Sequence, residues 1–232
     1  MPNVYQYKDF EGSSHRILAA LVRRYHNGTS MLDLGAAGGE LAAELRPLFR
    51  RIIGFELDVD RIGQLRQRLD HVVIADLERV TKLPDQMNVI VLADVLEHIR
   101  SQKRLLEMVR ASLAPNGLAF ISVPNIANAT VRLGLLCGVF RYRERGILDE
   151  THVRFYTVAT IREELENAGF EIVSLHGTSV PIRLILRDAI PEGILRFGEK
   201  LLVQITRTWK AFFAYQIVLV ARVRAVDAAA TR

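Results

Sequence analysis

Short apolar runs alternate with amphipathic segments along most of the chain, and this alternation restricts the fold more than any other feature. Runs of strand length fall at 30–34, 51–55, 72–74, 88–93, 117–123, 170–176 and 214–223. Segments with helical spacing fall between them, at 12–25, 39–48, 58–69, 102–113 and 158–168. In the fourth, Leu105, Leu106, Val109 and Leu113 form one core-facing stripe, Ser101 is placed to cap its start, and Pro115-Asn116-Gly117 turns the chain into the next strand. Strands that alternate with helices bury both faces of a largely parallel sheet, so the expectation is an α/β fold. The last two strands lack an ordinary crossover helix, and a basic, apolar insertion at 181–213 stands between them.

The chain has 232 residues, no repeat and no Pro/Gly/Ser-rich linker, which predicts one domain. The polar N-terminus has no signal-like apolar core. The longest apolar-rich run, 211–223, is too short to span a bilayer. One cysteine, Cys137, cannot form an internal disulfide, and no Cys/His cluster has metal-ligand spacing. These features predict a cytoplasmic protein without a metal. The formal charge of +5 is mild, with cations gathered at 132–154 and 183–210.

The first strand runs into a loop of small residues, Asp33-Leu34-Gly35-Ala36-Ala37-Gly38-Gly39-Glu40. Small residues let a ligand approach the backbone, and glycine accepts the positive φ of a tight turn. A plain strand-to-helix turn is the alternative. Glu56 ends the second strand a little over twenty residues later, where a carboxylate can accept both hydroxyls of a ribose. A dinucleotide fingerprint would need glycine at the third and sixth positions counted from Gly35, and these are Ala37 and Glu40. Asp33 and Glu40 would repel a pyrophosphate; an acidic rim suits a cationic nucleoside better.

With these residues the sequence resembles the class I S-adenosylmethionine (SAM)-dependent methyltransferases over roughly 29–124. DLGAAGG stands where that superfamily has D-x-G-x-G-x-G, with Ala37 in place of a glycine, and GFELD, IADLE, VIVLADVLEHI and LAPNGLAFISVPN follow in order. The resemblance implies a Rossmann-like seven-stranded sheet, mostly parallel with an antiparallel last strand and helices on both faces. It implies that Asp33, Gly35, Ala36, Ala37 and Gly39 form the SAM loop and that Glu56 holds the ribose. Leu57 would pack on the adenine, Asp76 and Leu77 would meet its amino group and ring, and Ala93 and Asp94 would line the methionine end. The bland alternatives are that Asp76 caps a turn and Asp94 caps a helix. The product would be S-adenosylhomocysteine. The domain then divides into an N-terminal helical cap (1–28), a SAM-binding half (29–124) and an acceptor-side half (125–232).

The acceptor side offers two candidate bases, His98 and His152, with pKa values ordinarily near neutrality. Glu97-His98 also reads as an exposed pair at a helix start, and His152 and Arg154 as ties from loop to sheet. Asp149 or Glu150 is placed to orient His152. The stretch from VPNIANATVRLGLLCGVF to ILDETHVRFYT resembles a bacterial branch of the superfamily associated with cell-envelope glycans or lipid-linked saccharides, and in part with quinone-like acceptors. That implies O-methylation of a saccharide, a lipid-linked glycan or another small hydroxyl acceptor. The insertion interleaves Leu184, Ile185, Ile194, Phe197, Leu201 and Trp209 with Arg183, Arg187, Arg196, Lys200, Arg207 and Lys210. Such a segment fits the inner face of a membrane, a packed helix or a dimer contact. A non-catalytic SAM-binding or partner-binding module is the other reading. A nucleic-acid methyltransferase is disfavoured by the modest charge and by Ala93-Asp94-Val95-Leu96 where an Asn-Pro-Pro-Tyr motif would stand.

Overall fold

The structure is a computed structural model that describes residues 12–180, 182 and 190–225. Leu184, Ile185, Arg183 and Arg187 of the insertion lie outside the described residues. The chain runs α1 (Ser14–Tyr25), β1 (Ser30–Leu34), α2 (Glu40–Leu45), β2 (Arg51–Glu56), α3 (Ile62–Leu65), β3 (His71–Ile74) and β4 (Met87–Ala93). It continues with α4 (Gln102–Ser112), β5 (Leu113–Pro124), α5 (Ala129–Leu136), α6 (Val158–Asn167) and β6 (Phe170–Gly177). Helix α7 (Glu192–Thr208), α8 (Lys210–Phe213) and β7 (Gln216–Val223) complete the order. The seven strands form one sheet, β3-β2-β1-β4-β5-β7-β6. Strands β1 to β5 pair in parallel, and β7 runs antiparallel to both neighbours.

Side-chain alternation divides the core into two layers. Leu32, Leu34, Ile90 and Leu92 face the layer that holds α4 and α6, with Leu106, Val109 and Ile161. Met31, Val89, Val91 and Phe120 face the other, with Leu18 and Val22 of α1 and Leu41 of α2. Each of these fully buried side chains contributes about 1.5–3 kcal/mol relative to leaving it in water. Because β4 is covered on both faces it reads as an unbroken apolar run from Val89 to Ala93, as central parallel strands do.

Three local expectations change. The helix expected at 58–69 is a 3-10 turn (Val59–Arg61) followed by the four residues of α3. Only Leu65 and Leu69 of that stretch are buried, too little packing to hold a longer helix. Ser101 makes no side-chain cap on α4; the Gln102 side chain instead donates to the Ile99 carbonyl. Glu97 is not exposed: it lies buried in the 3-10 turn Leu96–His98.

Candidate functional site

The order of strands reverses between β1 and β4, and a crevice opens at their carboxyl ends, the usual place for ligands in such sheets. It is lined by His15, Asp33, Gly35, Ala36, Ala37, Glu40, Leu41 and Ala93. Asp33 follows Met31 by two residues, so its side chain shares the face toward α1 and α2. The loop is stitched to β2: the amides of Gly35 and Ala36 both donate to the Phe55 carbonyl at 2.9 Å. Gly35 has φ +74°, and a Cβ there would lie 2.7 Å from the Val95 Cγ2, so glycine serves both the turn and the close approach.

Glu56 turns into this loop. Its Oε2 accepts from the Ala37 amide at 2.7 Å, and its Oε1 accepts from Leu57 and Asp58 at 2.9 Å. The carboxylate is thus oriented by three amides and keeps acceptor capacity for a hydroxyl ligand. Glu40 is held by Arg68 at 2.9 Å and by Gln64 at 3.0 Å, and Arg68 also donates to the Gly38 carbonyl at 2.6 Å. Burial, then the nearby Glu56 and Glu40 carboxylates, push Asp33 up to about 7. A buried acid raised by other acids is a site that a cation relieves. The sulfonium and ammonium of SAM meet that requirement, so these residues fit the group.

Other expected contacts vary. Leu57 is 67% exposed at the end of β2, open to a ring. Asp76 does cap a turn, its Oδ1 accepting from Glu78 at 2.9 Å, and it pairs with Arg79 at 3.5 Å. Leu77 is half-buried beside the larger apolar layer, and Ala93 lines the crevice. Asp94 is tied to β5 and β7, two strands that pair antiparallel. Its Oδ1 accepts from the Ser122 hydroxyl at 2.6 Å and from the Gln216 amide at 2.7 Å, while its own backbone sits at φ +56°.

Beyond β4, His98 and His152 meet, with ring centroids 4.9 Å apart at 68°. The His98 Nδ1 is 3.3 Å from the Thr151 carbonyl and 3.2 Å from its hydroxyl; the His152 Nδ1 is 3.2 Å from the Ile147 carbonyl. The Ile147 carbonyl only accepts, so the His152 Nδ1 carries the proton and its Nε2 is left as the acceptor. Burial and the neighbouring His98 hold His152 below its ordinary value, which keeps it neutral and basic at neutral pH. Asp149 and Glu150 do not orient His152 as expected. The Asp149 Oδ1 binds the Thr151 amide and hydroxyl, at 2.8 and 2.6 Å, and so positions the residue that holds His98. Arg154 ties the loop down: its amide, with that of Val153, donates to the Glu97 carbonyl, and its guanidinium lies 3.4 Å from Glu164.

The sequence reading found no metal-ligand spacing, yet ligand atoms of Glu97, His98 and His152 all lie within 4.8 Å of one another. His152 follows Thr151, which already stands 53 residues beyond His98, so no local spacing announces this cluster. Sequence reasoning also missed His15, Arg68 and Gln216, none of which stands in a motif, and gave Ser122, inside the fifth strand's motif, no role.

A glycine bend with an acidic rim at the switch point, facing a ribose-type acid on the adjoining strand, defines a Rossmann-like nucleoside site built for a cation. The Methyltransferase domain family matches residues 5–175, and the chain belongs to it. The chain thus carries a methyltransferase domain, with a crevice whose residues fit SAM. The ubiquinone biosynthesis O-methyltransferase of Aeromonas salmonicida is 24% identical over 160 residues, covering 65% of this chain and 66% of that one. A probable SAM-dependent methyltransferase of Mycolicibacterium smegmatis is 28% identical over 148 residues, covering 62% and 53%. The matched region thus spans less than two thirds of either relative's length. Among solved structures, a putative SAM-dependent methyltransferase of Listeria monocytogenes has TM-score 0.62 at 16% identity, covering 93% of this chain and 99% of that one. The putative methyltransferase complexed with the Trm112 activator of Haloferax volcanii has TM-score 0.61 at 16% identity, covering 91% and 90%. These likenesses concern the fold.

Proposed function

We propose that the chain is an O-methyltransferase acting on a hydroxyl of a saccharide, a lipid-linked glycan or another small hydroxyl acceptor. The observation that carries this reading is the His98–His152 pair, two imidazole rings in edge contact beyond β4. A hydroxyl nucleophile must lose a proton as it attacks, and a neutral imidazole is the side chain suited to take it. Bound SAM supplies the electrophilic methyl carbon. Glu56 receives the ribose hydroxyls, Leu57, Asp76 and Leu77 border the adenine, and Asp33, the loop from Gly35 to Gly39, Ala93 and Asp94 surround the methionine end. The names of several relatives specify O-methylation, which agrees with a hydroxyl acceptor. In this reading the protein works at the cytoplasmic side of the cell and meets the membrane through its basic insertion.

The test has two stages. Titration calorimetry with SAM is expected to show binding that Glu56→Ala weakens by about 1–3 kcal/mol. Labelled SAM is then offered with a panel of saccharides, lipid-linked glycans and phenols. His98→Ala or His152→Ala should lower turnover by about 10²–10⁴-fold at near-normal SAM affinity. Wild-type turnover in both variants would remove the pair from the chemistry, and transfer only to nitrogen or carbon acceptors would defeat the O-methyl reading.

A further inference from the structure

Helix α7 packs on the domain with one face and leaves a second apolar face in water. Leu195 and Thr206 are buried, and a Cβ on Gly177 of β6 would lie 3.2 Å from the Thr206 methyl. Ile194, Phe197 and Leu201 recur at i, i+3 and i+7, yet Ile194 is 62% and Phe197 71% exposed. Just beyond the helix Trp209 is 66% exposed and stacks on Phe213 at 6.3 Å.

Charge is sorted around this stripe. At about 100° per residue, Lys200 and Arg207 lie on one meridian bordering Phe197 and Leu201. Both are exposed. Glu192 and Glu199 fall on the opposite side, and Glu192 is paired with Arg196 at 2.9 Å. The stripe continues toward α5. The Arg132 guanidinium lies 5.2 Å over the Phe212 ring, and the Asn128 amide donates to the Phe213 carbonyl at 3.1 Å. From there residues 135–145 are all exposed and include Leu136, Phe140, Tyr142, Arg141, Arg143 and Arg145.

We infer that α7, with Trp209, docks the protein on an anionic lipid surface. The apolar stripe enters the headgroup boundary, the bordering cations meet lipid phosphates, and Trp209 sits at headgroup level. A second copy of the chain fits the same face poorly, because a two-fold contact would set Lys200 and Arg207 against their own equivalents. Among the described residues no helix is long and apolar enough to cross a membrane, so the contact is made from one side. This inference deepens the membrane contact of the proposed reading and rests on it in that one respect, but its test stands apart from the O-methyl chemistry, since lipid binding is read without SAM or acceptor.

Trp209 is the single tryptophan, so its fluorescence reports this surface alone. The full chain is mixed with phosphatidylcholine vesicles with and without phosphatidylglycerol, and Trp209 emission and sedimentation are followed. Blue-shifted emission, quenching by brominated lipid and cosedimentation are expected with the anionic vesicles only, weakening as salt rises. Phe197→Ser/Leu201→Ser and, separately, Lys200→Glu/Arg207→Glu should each reduce vesicle affinity by about tenfold or more. Unchanged SAM affinity in both variants shows that they remain folded. Wild-type protein that stays in the supernatant with anionic vesicles, or vesicle binding equal to wild type in both folded variants, overturns the inference. So does a dimer in solution that Phe197→Ser/Leu201→Ser converts to monomer without any vesicle binding.

Discussion

Ala37 and Asp33 show how single residues set the character of the crevice. Ala37 holds φ +49° in the position where the family pattern has glycine, and its amide is the one that meets Glu56 at 2.7 Å. A left-handed alanine costs about 1–2 kcal/mol, and the charge-assisted hydrogen bond to Glu56 offsets it. Asp33 is the more expensive residue. Its folded pKa of about 7 stands above the ordinary carboxylate value of 3.8, so the folded protein holds a proton that the unfolded chain releases. Stability from this group is therefore complete below about pH 4 and is lost as the pH rises through about 7. The full penalty for a displacement of this size is about 4 kcal/mol, less whatever the crevice's own water recovers. Asp33→Asn is accordingly expected to raise stability by about 1–3 kcal/mol at pH 8 while changing it little at pH 4, and to weaken SAM binding. Denaturant unfolding at the two pH values checks this. A gain of equal size at both would show that the carboxylate's charge is not the source.

At the scale of elements, the antiparallel end of the sheet braces the acceptor side. Gln216, at the start of β7, donates to Asp94 at the end of β4, and Ser122 of β5 donates to the same oxygen, so three strands converge on one buried carboxylate. Removing the Gln216 amide leaves a buried acceptor short of a donor, at an expected cost of about 1–3 kcal/mol. Gln216→Ala should therefore lower the denaturation midpoint, and Gln216→Glu should lower it further by placing a second acid against Asp94. Equal midpoints for wild type and Gln216→Ala would show that the network carries no net stability. The legibility of the fold follows the same division between local and distant causes. The central strands are legible because β4 and β5 are buried on both faces and are apolar over 89–93 and 118–121. The loop from Asp33 to Gly39 and the acid at Glu56 were readable because their chemistry is local to two strand ends. The break at α3 was not, since the loss of packing that shortens a helix is a tertiary fact. Nor was the meeting of His98 with His152, or the bond from Gln216 to Asp94 across 122 residues, because only the completed sheet brings them together.

Over the whole molecule, the acid-rimmed crevice joins folding, ligand binding and proton release. Without ligand, Asp33 is largely protonated below about pH 7 because Glu56, Glu40 and burial all oppose its charge. A cationic nucleoside in the same crevice favours the ionised carboxylate, so binding must draw the proton off. The sign is fixed by linkage: SAM affinity rises with pH up to about 7, by a factor approaching ten per pH unit, and levels off above it. The ligand should then raise the unfolding temperature more at about pH 8 than at about pH 5.5 at the same concentration, because stabilisation grows with the ratio of ligand to dissociation constant. Calorimetry in two buffers of different ionisation enthalpy reads the proton directly. Close to one proton released per SAM bound at about pH 6 is expected, falling toward zero at about pH 8.5. Asp33→Asn should abolish the release at pH 6 and flatten the affinity profile, whereas His152→Ala, placed beyond β4, should leave both unchanged. Proton release that persists at full size in Asp33→Asn would assign it to another group, and the crevice would lose its claim to recognise the ligand by charge.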